Sequence, residues 1–376
     1  MAKTVSRAGR RDSLAPSMAE SAERLTIASI LNPGRMLADG IPFPDYRQAT
    51  EQISDFAGWF DFWVAKGRAY EALGDGAIAA GSDVSGGEWL WQASLSYHYA
   101  QFMWFHDPAR REEGQRRKVE VYNRAAPHFV PAAERVEVAC EGATIPGFLR
   151  LPQGERPAAG WPVVLLLGGL ESTKEEGYLF ENICLRRGVA TFAFDGPGQG
   201  EMFFQVKLAP DFERYASAVV DHLVGRAELD AERIGVLGRS LGGHYALRSA
   251  ACDPRLKACC AWGAFFDMSE FRSMPLTTQR GFAYVAGAAD LDEGERLNRE
   301  RLDLSGVIER VRCPVYVLHG LHDVIFSLRQ LELVREGLTG SAAEVVVESD
   351  GDHCCHNMGP IVRPRMADWL AARLSE

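Results

Sequence analysis

A chain of 376 residues can hold one large domain and a smaller one, and 47% apolar with 24% charged residues is the balance of a globular protein with a buried core. The formal net charge of −10 argues against a protein built to hold nucleic acid or an anionic membrane, because both need a basic surface. The eight cysteines show no C-x-x-C spacing and mostly have apolar neighbours. They read as buried thiols of a reducing compartment, so a cytoplasmic protein without metal or cofactor is expected.

Residues 1–20 are polar and basic and contain no apolar core, so they read as a disordered tail and not as a signal peptide. No stretch approaches the ~18 apolar residues of a membrane span. Residues 21–132 are rich in alanine, aromatics and charge. "FAGWFDFWVAKGRAYEALGDGA" and "GEWLWQASLSYHYAQFMWFHD" place large apolar groups at helical spacing, and the region holds Trp59, Trp63, Trp89, Trp91 and Trp104. The mixed-charge run "ARREEGQRRK" reads as the solvated face of a helix. A helical cap domain over 21–132 is expected. Within it "SYHYAQF" either points Tyr97, His98 or Tyr99 into a substrate pocket or packs all three in a core.

From Ala133 to the C-terminus the pattern changes. "RVEVACEGATIPGFLRLP" alternates about a glycine turn and predicts a β-hairpin. "PVVLLLGGL" is a short apolar run of the kind buried on both faces in a parallel sheet. Strands "VATFAFDGPGQG", "RIGVLGRS", "LKACCAWGAF", "CPVYVLHGLHD" and "AEVVVESDGDH" then alternate with helical segments, ending in "IVRPRMADWLAARL". This predicts an α/β fold over 133–376, a mostly parallel doubly wound sheet. The stretch from Phe271 to Leu304 fits no strand and is expected to be a helical excursion.

In such a sheet, ligands bind beyond the C-terminal ends of the strands. Ser240, Asp323 and His353 each follow a predicted strand, in the chain order Ser, Asp, His. A serine hydroxyl is a weak nucleophile until a histidine accepts its proton. An aspartate fixes the imidazole and stabilises its charged form. The G-x-S-x-G of Gly238 to Gly242 lets a strand turn tightly into a helix with the serine exposed. His356 is the alternative base. Oxyanion donors are expected from the N–H of Leu241 and from Gly169 or Leu170 in "LLLGGLESTKEE". "FDGPGQGE" lacks the layout of a dinucleotide loop and reads as a structural loop near the site. The four adjacent residues of "HCCH" cannot converge on one ion, so no metal is expected there.

"LGGLESTKEE", "FDGPGQGE", "GRSLGGHYA" and "GDHCCHN" together resemble the α/β-hydrolase group with an N-terminal helical cap. This is the group of a bacterial nicotine-breakdown hydrolase, 2,6-dihydroxypseudooxynicotine hydrolase, and of fungal hydrolases that shorten polyketide pigment precursors. The resemblance runs from about Ser21 to the end of the chain. It implies hydrolysis of a carbon–carbon bond beside a ketone in a β-diketone-like or acyl-aromatic substrate, by Ser240, Asp323 and His353 in a homodimer. It also implies an assisting acidic residue, with Glu270 the nearest match and Asp267 its rival. Two other readings compete: a carboxylesterase, thioesterase or lactonase using the same residues on a small-molecule ester, and a catalytically silent binding protein.

Overall fold

A computed structural model describes residues 33–53, 56–102 and 107–375. The tail expected over 1–20 and the start of the expected cap lie outside the described residues. The helical half is built from α1 (Pro33–Asp39), α2 (Phe43–Gln52), α3 (Phe56–Ala79), α4 (Asp83–Gln101) and α5 (Pro108–Ala125). Asp107 caps α5 by accepting from the Arg110 N–H at 3.1 Å, and Pro108 takes the first helical position, where no N–H is needed. Trp59, Trp63, Leu90, Tyr97, Tyr99 and Tyr122 are buried in a core shared by these helices. That core also includes Phe148 and Tyr178 from the sheet half, so the two halves share one apolar boundary.

Among the described residues the first strand begins at Ala133, and the strands are β1 (Ala133–Cys140), β2 (Ala143–Arg150), β3 (Trp161–Leu167), β4 (Ala190–Phe194), β5 (Leu229–Arg239), β6 (Leu256–Trp262), β7 (Val315–Gly320) and β8 (Ala343–Glu348). They form one sheet in the order β1-β2-β4-β3-β5-β6-β7-β8. The β1–β2 and β2–β4 pairs are antiparallel and the remaining pairs parallel. Glu141 and Gly142 turn the β1–β2 hairpin with φ of 51° and 85°, the paired positive φ of a type I′ turn.

Side chains of the central strands alternate between two cores. Val163, Leu165 and Leu167 of β3 pack on one face with α7 (Phe212–Val224) and α8 (Leu241–Cys252). Val164 and Leu166 pack on the other with α6 (Tyr178–Leu185) and α12 (Gly359–Arg373). A strand covered by helices on both faces must be apolar at every position, which is why "PVVLLL" does not alternate. The excursion consists of α9 (Leu276–Ala286) and α10 (Leu291–Arg301), after which α11 (Leu328–Gly337) precedes β8. No helix among the described residues is long and apolar enough to cross a membrane.

Candidate active site

Ser240 joins β5 to α8 in a strained conformation, φ 56° and ψ −116°. The flanking glycines are steric necessities. A Cβ on Gly238 would lie 1.8 Å from the Gly242 carbonyl oxygen, and one on Gly242 would lie 2.2 Å from the Leu167 carbonyl oxygen. The serine N–H donates to the Trp262 carbonyl at 2.7 Å, which ties the turn to β6.

His353 and Asp323 converge on this serine from the ends of β8 and β7. The Ser240 hydroxyl lies 2.9 Å from His353 Nε2, and His353 Nδ1 lies 2.7 Å from Asp323 Oδ2. The other Asp323 oxygen accepts from the N–H groups of Ile325 at 2.8 Å and Phe326 at 3.0 Å. Asp323 then takes an N–H from Nδ1, which in the neutral ring leaves Nε2 as an acceptor facing the Ser240 hydroxyl. Burial opposes charge on Asp323, yet His353 and the Phe326 N–H hold its carboxylate below the ordinary range. Burial alone would lower His353, but Asp323 and Cys354 carry it well above its usual value. The chain reverses directly after the histidine, with Cys354 at φ 58° and Cys355 at φ 48°. Cys354 Sγ lies 3.4 Å from His353 Nε2. His356, the alternative base, has no hydrogen-bond partner at Nδ1, and its ring centroid lies 5.7 Å from that of Trp262. Burial and the charges of Arg239, Arg35 and Arg363 keep it neutral, well below its ordinary value.

The loop after β3 lies against the elbow. A Cβ on Gly169 would come within 3.3 Å of Ser240 Cβ. Gln199 Nε2 donates to the carbonyls of both Gly168 and Gly169, the latter at 3.1 Å. In a trans peptide the C=O and the N–H point in opposite directions. One side-chain amide therefore turns the Gly169 and Leu170 N–H groups away from itself together. Leu241 opens α8, so its N–H is one of the donors that a helix start leaves free. Gln199 belongs to "FDGPGQGE", expected only as a structural loop. Its geometry gives that loop a definite task, and no local pattern announces it.

Buried charges fix the same loop. Lys174 Nζ lies 2.8 Å from Asp195 and 2.6 Å from Glu175, and its N–H donates to Asp195 at 2.9 Å. The carboxylates of Glu175, Asp195 and Glu201 lie close enough to share a cation. The Lys174 ammonium fills that role, with Lys118 Nζ 3.4 Å from Glu175. Burial disfavours the Lys174 charge, but Asp195, Glu175 and Glu201 hold it well above its ordinary value.

A hollow opens over Ser240 and His353. Its walls include Gly169, Leu170 and Glu171 from the loop, and Thr278 and Phe282 from α9. Arg35 of α1 also reaches it, beside Arg239. Both arginines bind Glu176 Oε1, at 2.7 Å and 2.9 Å, and both donate to the Ser172 hydroxyl.

Several expected pocket residues lie elsewhere. Tyr97 donates to Glu71 at 2.9 Å and Tyr99 lies 3.3 Å from Asp39, both within the helical core. His98 is buried 3.8 Å from Glu176, and burial, outweighing Glu176, lowers it to about 3. None of the three lines the hollow over Ser240, because helix packing turns them inward. Glu270 accepts from the Ser327 N–H at 3.0 Å and from its hydroxyl, which ties it to the start of α11 and not to the serine. Asp267 accepts from Ser269 and from Gln330 at 3.0 Å.

A serine at a tight strand-to-helix turn, hydrogen-bonded to a histidine after β8 that meets an aspartate after β7, on a mostly parallel sheet flanked by helices, is the arrangement of an α/β hydrolase. Residues 57–323 match the Esterase FrsA-like family, and the chain belongs to that family of hydrolases. It is 45% identical over 343 residues to 2,6-dihydropseudooxynicotine hydrolase of Paenarthrobacter nicotinovorans, covering 91% of each chain. A crystal structure of 2,6-dihydroxy-pseudo-oxynicotine hydrolase matches with a TM-score of 0.85 at 44% identity, over 91% of this chain and 96% of that one. Hydrolase LUC6 of a Fusarium species is 35% identical over 237 residues, 59% of this chain and 56% of its own length. The resemblance read from the motifs is borne out.

Proposed function

We propose that this hydrolase cleaves a carbon–carbon bond next to a ketone, in a β-diketone or acyl-aromatic substrate, with Ser240, His353 and Asp323 as its catalytic triad. The observation that carries the reading is the hydrogen-bonded line from Ser240 through His353 to Asp323, in a chain 45% identical to a pseudooxynicotine hydrolase. The Ser240 proton passes to His353 Nε2 as Oγ attacks the ketone carbon. The N–H groups of Leu241 and of Gly169 or Leu170 stabilise the oxyanion. Collapse restores the carbonyl and breaks the carbon–carbon bond. The electron pair leaves on the departing carbon, which takes the proton from His353. Water, deprotonated by the same histidine, then attacks the acyl-serine, and collapse releases the acid and Ser240. A departing carbon is a poor leaving group, so the substrate must be a ketone whose second activating group stabilises the carbanion. A pocket roofed by helices suits this by keeping bulk water from the intermediates.

The family name favours a second reading, ester hydrolysis by the same residues. Purified enzyme is assayed on a 1,3-diketone and on aryl esters, with Ser240→Ala as control. Diketone cleavage lost in the variant supports the first reading; fast ester turnover without diketone cleavage replaces it with the second. We further read residues 21–132 as a cap over this site, and the enzyme as a cytoplasmic homodimer. Sedimentation at micromolar concentration tests the dimer, and a single monomeric species ends that part of the reading.

A further inference from the structure

A second hollow adjoins the one over Ser240. The two share Leu170, Glu171 and Ser172, and the second runs beneath α5 and beside the loop of Phe203 and Phe204. Two of its buried polar side chains, Glu171 at 4% exposure and Gln115 at 5%, each keep one unused atom. Glu171 Oε2 accepts from Arg111 Nη2 at 3.1 Å, while Glu171 Oε1 has no hydrogen-bond partner. Gln115 Oε1 accepts from Lys118 Nζ at 2.8 Å, which fixes the amide, while Gln115 Nε2 has none. Arg111 in turn donates to the Gln101 carbonyl at 3.0 Å and lies 4.9 Å from the Tyr284 ring centroid, so the carboxylate is held from the cap side. Buried polar atoms are rarely left without partners, because the loss of hydration is not recovered. Here a residue with a free acceptor and a residue with a free donor line the same hollow from different elements.

We propose that this second hollow is a substrate subsite for a hydroxyl group on the arm that extends away from the reacting carbonyl. A hydroxyl can donate to Glu171 Oε1 and accept from Gln115 Nε2 at once; an ether, a halogen or a plain alkyl end cannot. Phe204, which also lines the hollow, offers apolar contact to the chain or ring that carries it. Glu171 and Gln115 are then specificity residues of the proposed reaction, and the assignment rests on Ser240 being the nucleophile. A site built to bond a hydroxyl discriminates against the analogue lacking it, since its buried polar groups are then left unpaired.

The test uses pairs of 1,3-diketones and pairs of aryl esters that differ only by a hydroxyl on the acyl arm. Wild-type enzyme is expected to prefer the hydroxylated member in kcat/KM by roughly tenfold to a hundredfold, the range of one hydrogen bond to a charged group. Glu171→Gln and Gln115→Leu, on separate elements, are each expected to shrink that ratio about tenfold, chiefly through KM. Fluorophosphonate labelling of Ser240 confirms that each variant is folded. A wild-type ratio near one overturns the proposal without any variant, since the hollow then holds only water. Equal losses on both members of a pair overturn it too, because they mark a structural role. Failure of the diketones alone removes the carbon–carbon reading, and the ester pair still decides the subsite.

Discussion

Ser240 occupies a backbone conformation that costs a non-glycine residue of the order of 1–3 kcal/mol. The surrounding structure imposes it, because strands and helix approach so closely at Gly238 and Gly242 that no Cβ fits. Gly238→Ala is therefore expected to displace the elbow. Such a shift lowers kcat by roughly a hundredfold, with a lower denaturation midpoint, and kcat near wild type would refute the steric account. His353 makes the second prediction at this scale. Its Asp323 partner raises its pKa well above the ordinary value of ~6.5, and only the neutral imidazole can accept the serine proton. Activity should thus fall as the pH drops through a value above the usual histidine range. Asp323→Asn removes the raising charge, so the acid limb of kcat/KM should move to lower pH, with kcat down by roughly 10⁴. A limb that stays in place would show that another group titrates.

Among the elements, β2 and α6 are joined by a salt bridge with no access to solvent, Arg150 to Glu181 at 2.9 Å. The guanidinium also lies 4.8 Å from the Tyr178 ring centroid. Breaking such a pair on one side strands a buried charge. Arg150→Met should lower stability by about 3–5 kcal/mol, whereas Arg150→Met with Glu181→Leu should restore most of it. Equal losses in single and double variants, measured by urea unfolding, would show that packing around Arg150 matters more than charge. Neither residue stands out in the sequence, since each sits in a segment whose apolar pattern already specifies its element.

At the scale of the whole molecule, charge binds the helical half to the sheet. Asp39 of α1 pairs with Arg363 at 2.7 Å and with Arg239 at 3.4 Å, while Arg35 binds Glu176. Removing residues 1 to about 130 would uncover Phe148 and Tyr178 and leave Arg239 and Glu176 without their α1 partners. The truncated chain is expected to aggregate and to lose activity on large substrates. A soluble, fully active fragment would show that the helices are not a lid.

The sequence by itself determined the order and kind of the elements, and the places of Ser240, Asp323 and His353 at strand ends. Those features are written in short stretches: the apolar run of β3, the glycines around the serine, the polar residue after each strand. The sequence named His353 with His356 as its alternative, and the tertiary structure shows the His353 ring meeting Asp323, just before a two-residue left-handed reversal. It also turned Tyr97, His98 and Tyr99 into a core and gave Glu270 to Ser327. Gln199, Glu171 and Gln115 take their meaning from the segments they face, which lie far away in the chain. Local periodicity fixes which way a side chain leaves its own element. What it meets there is set by how whole layers pack.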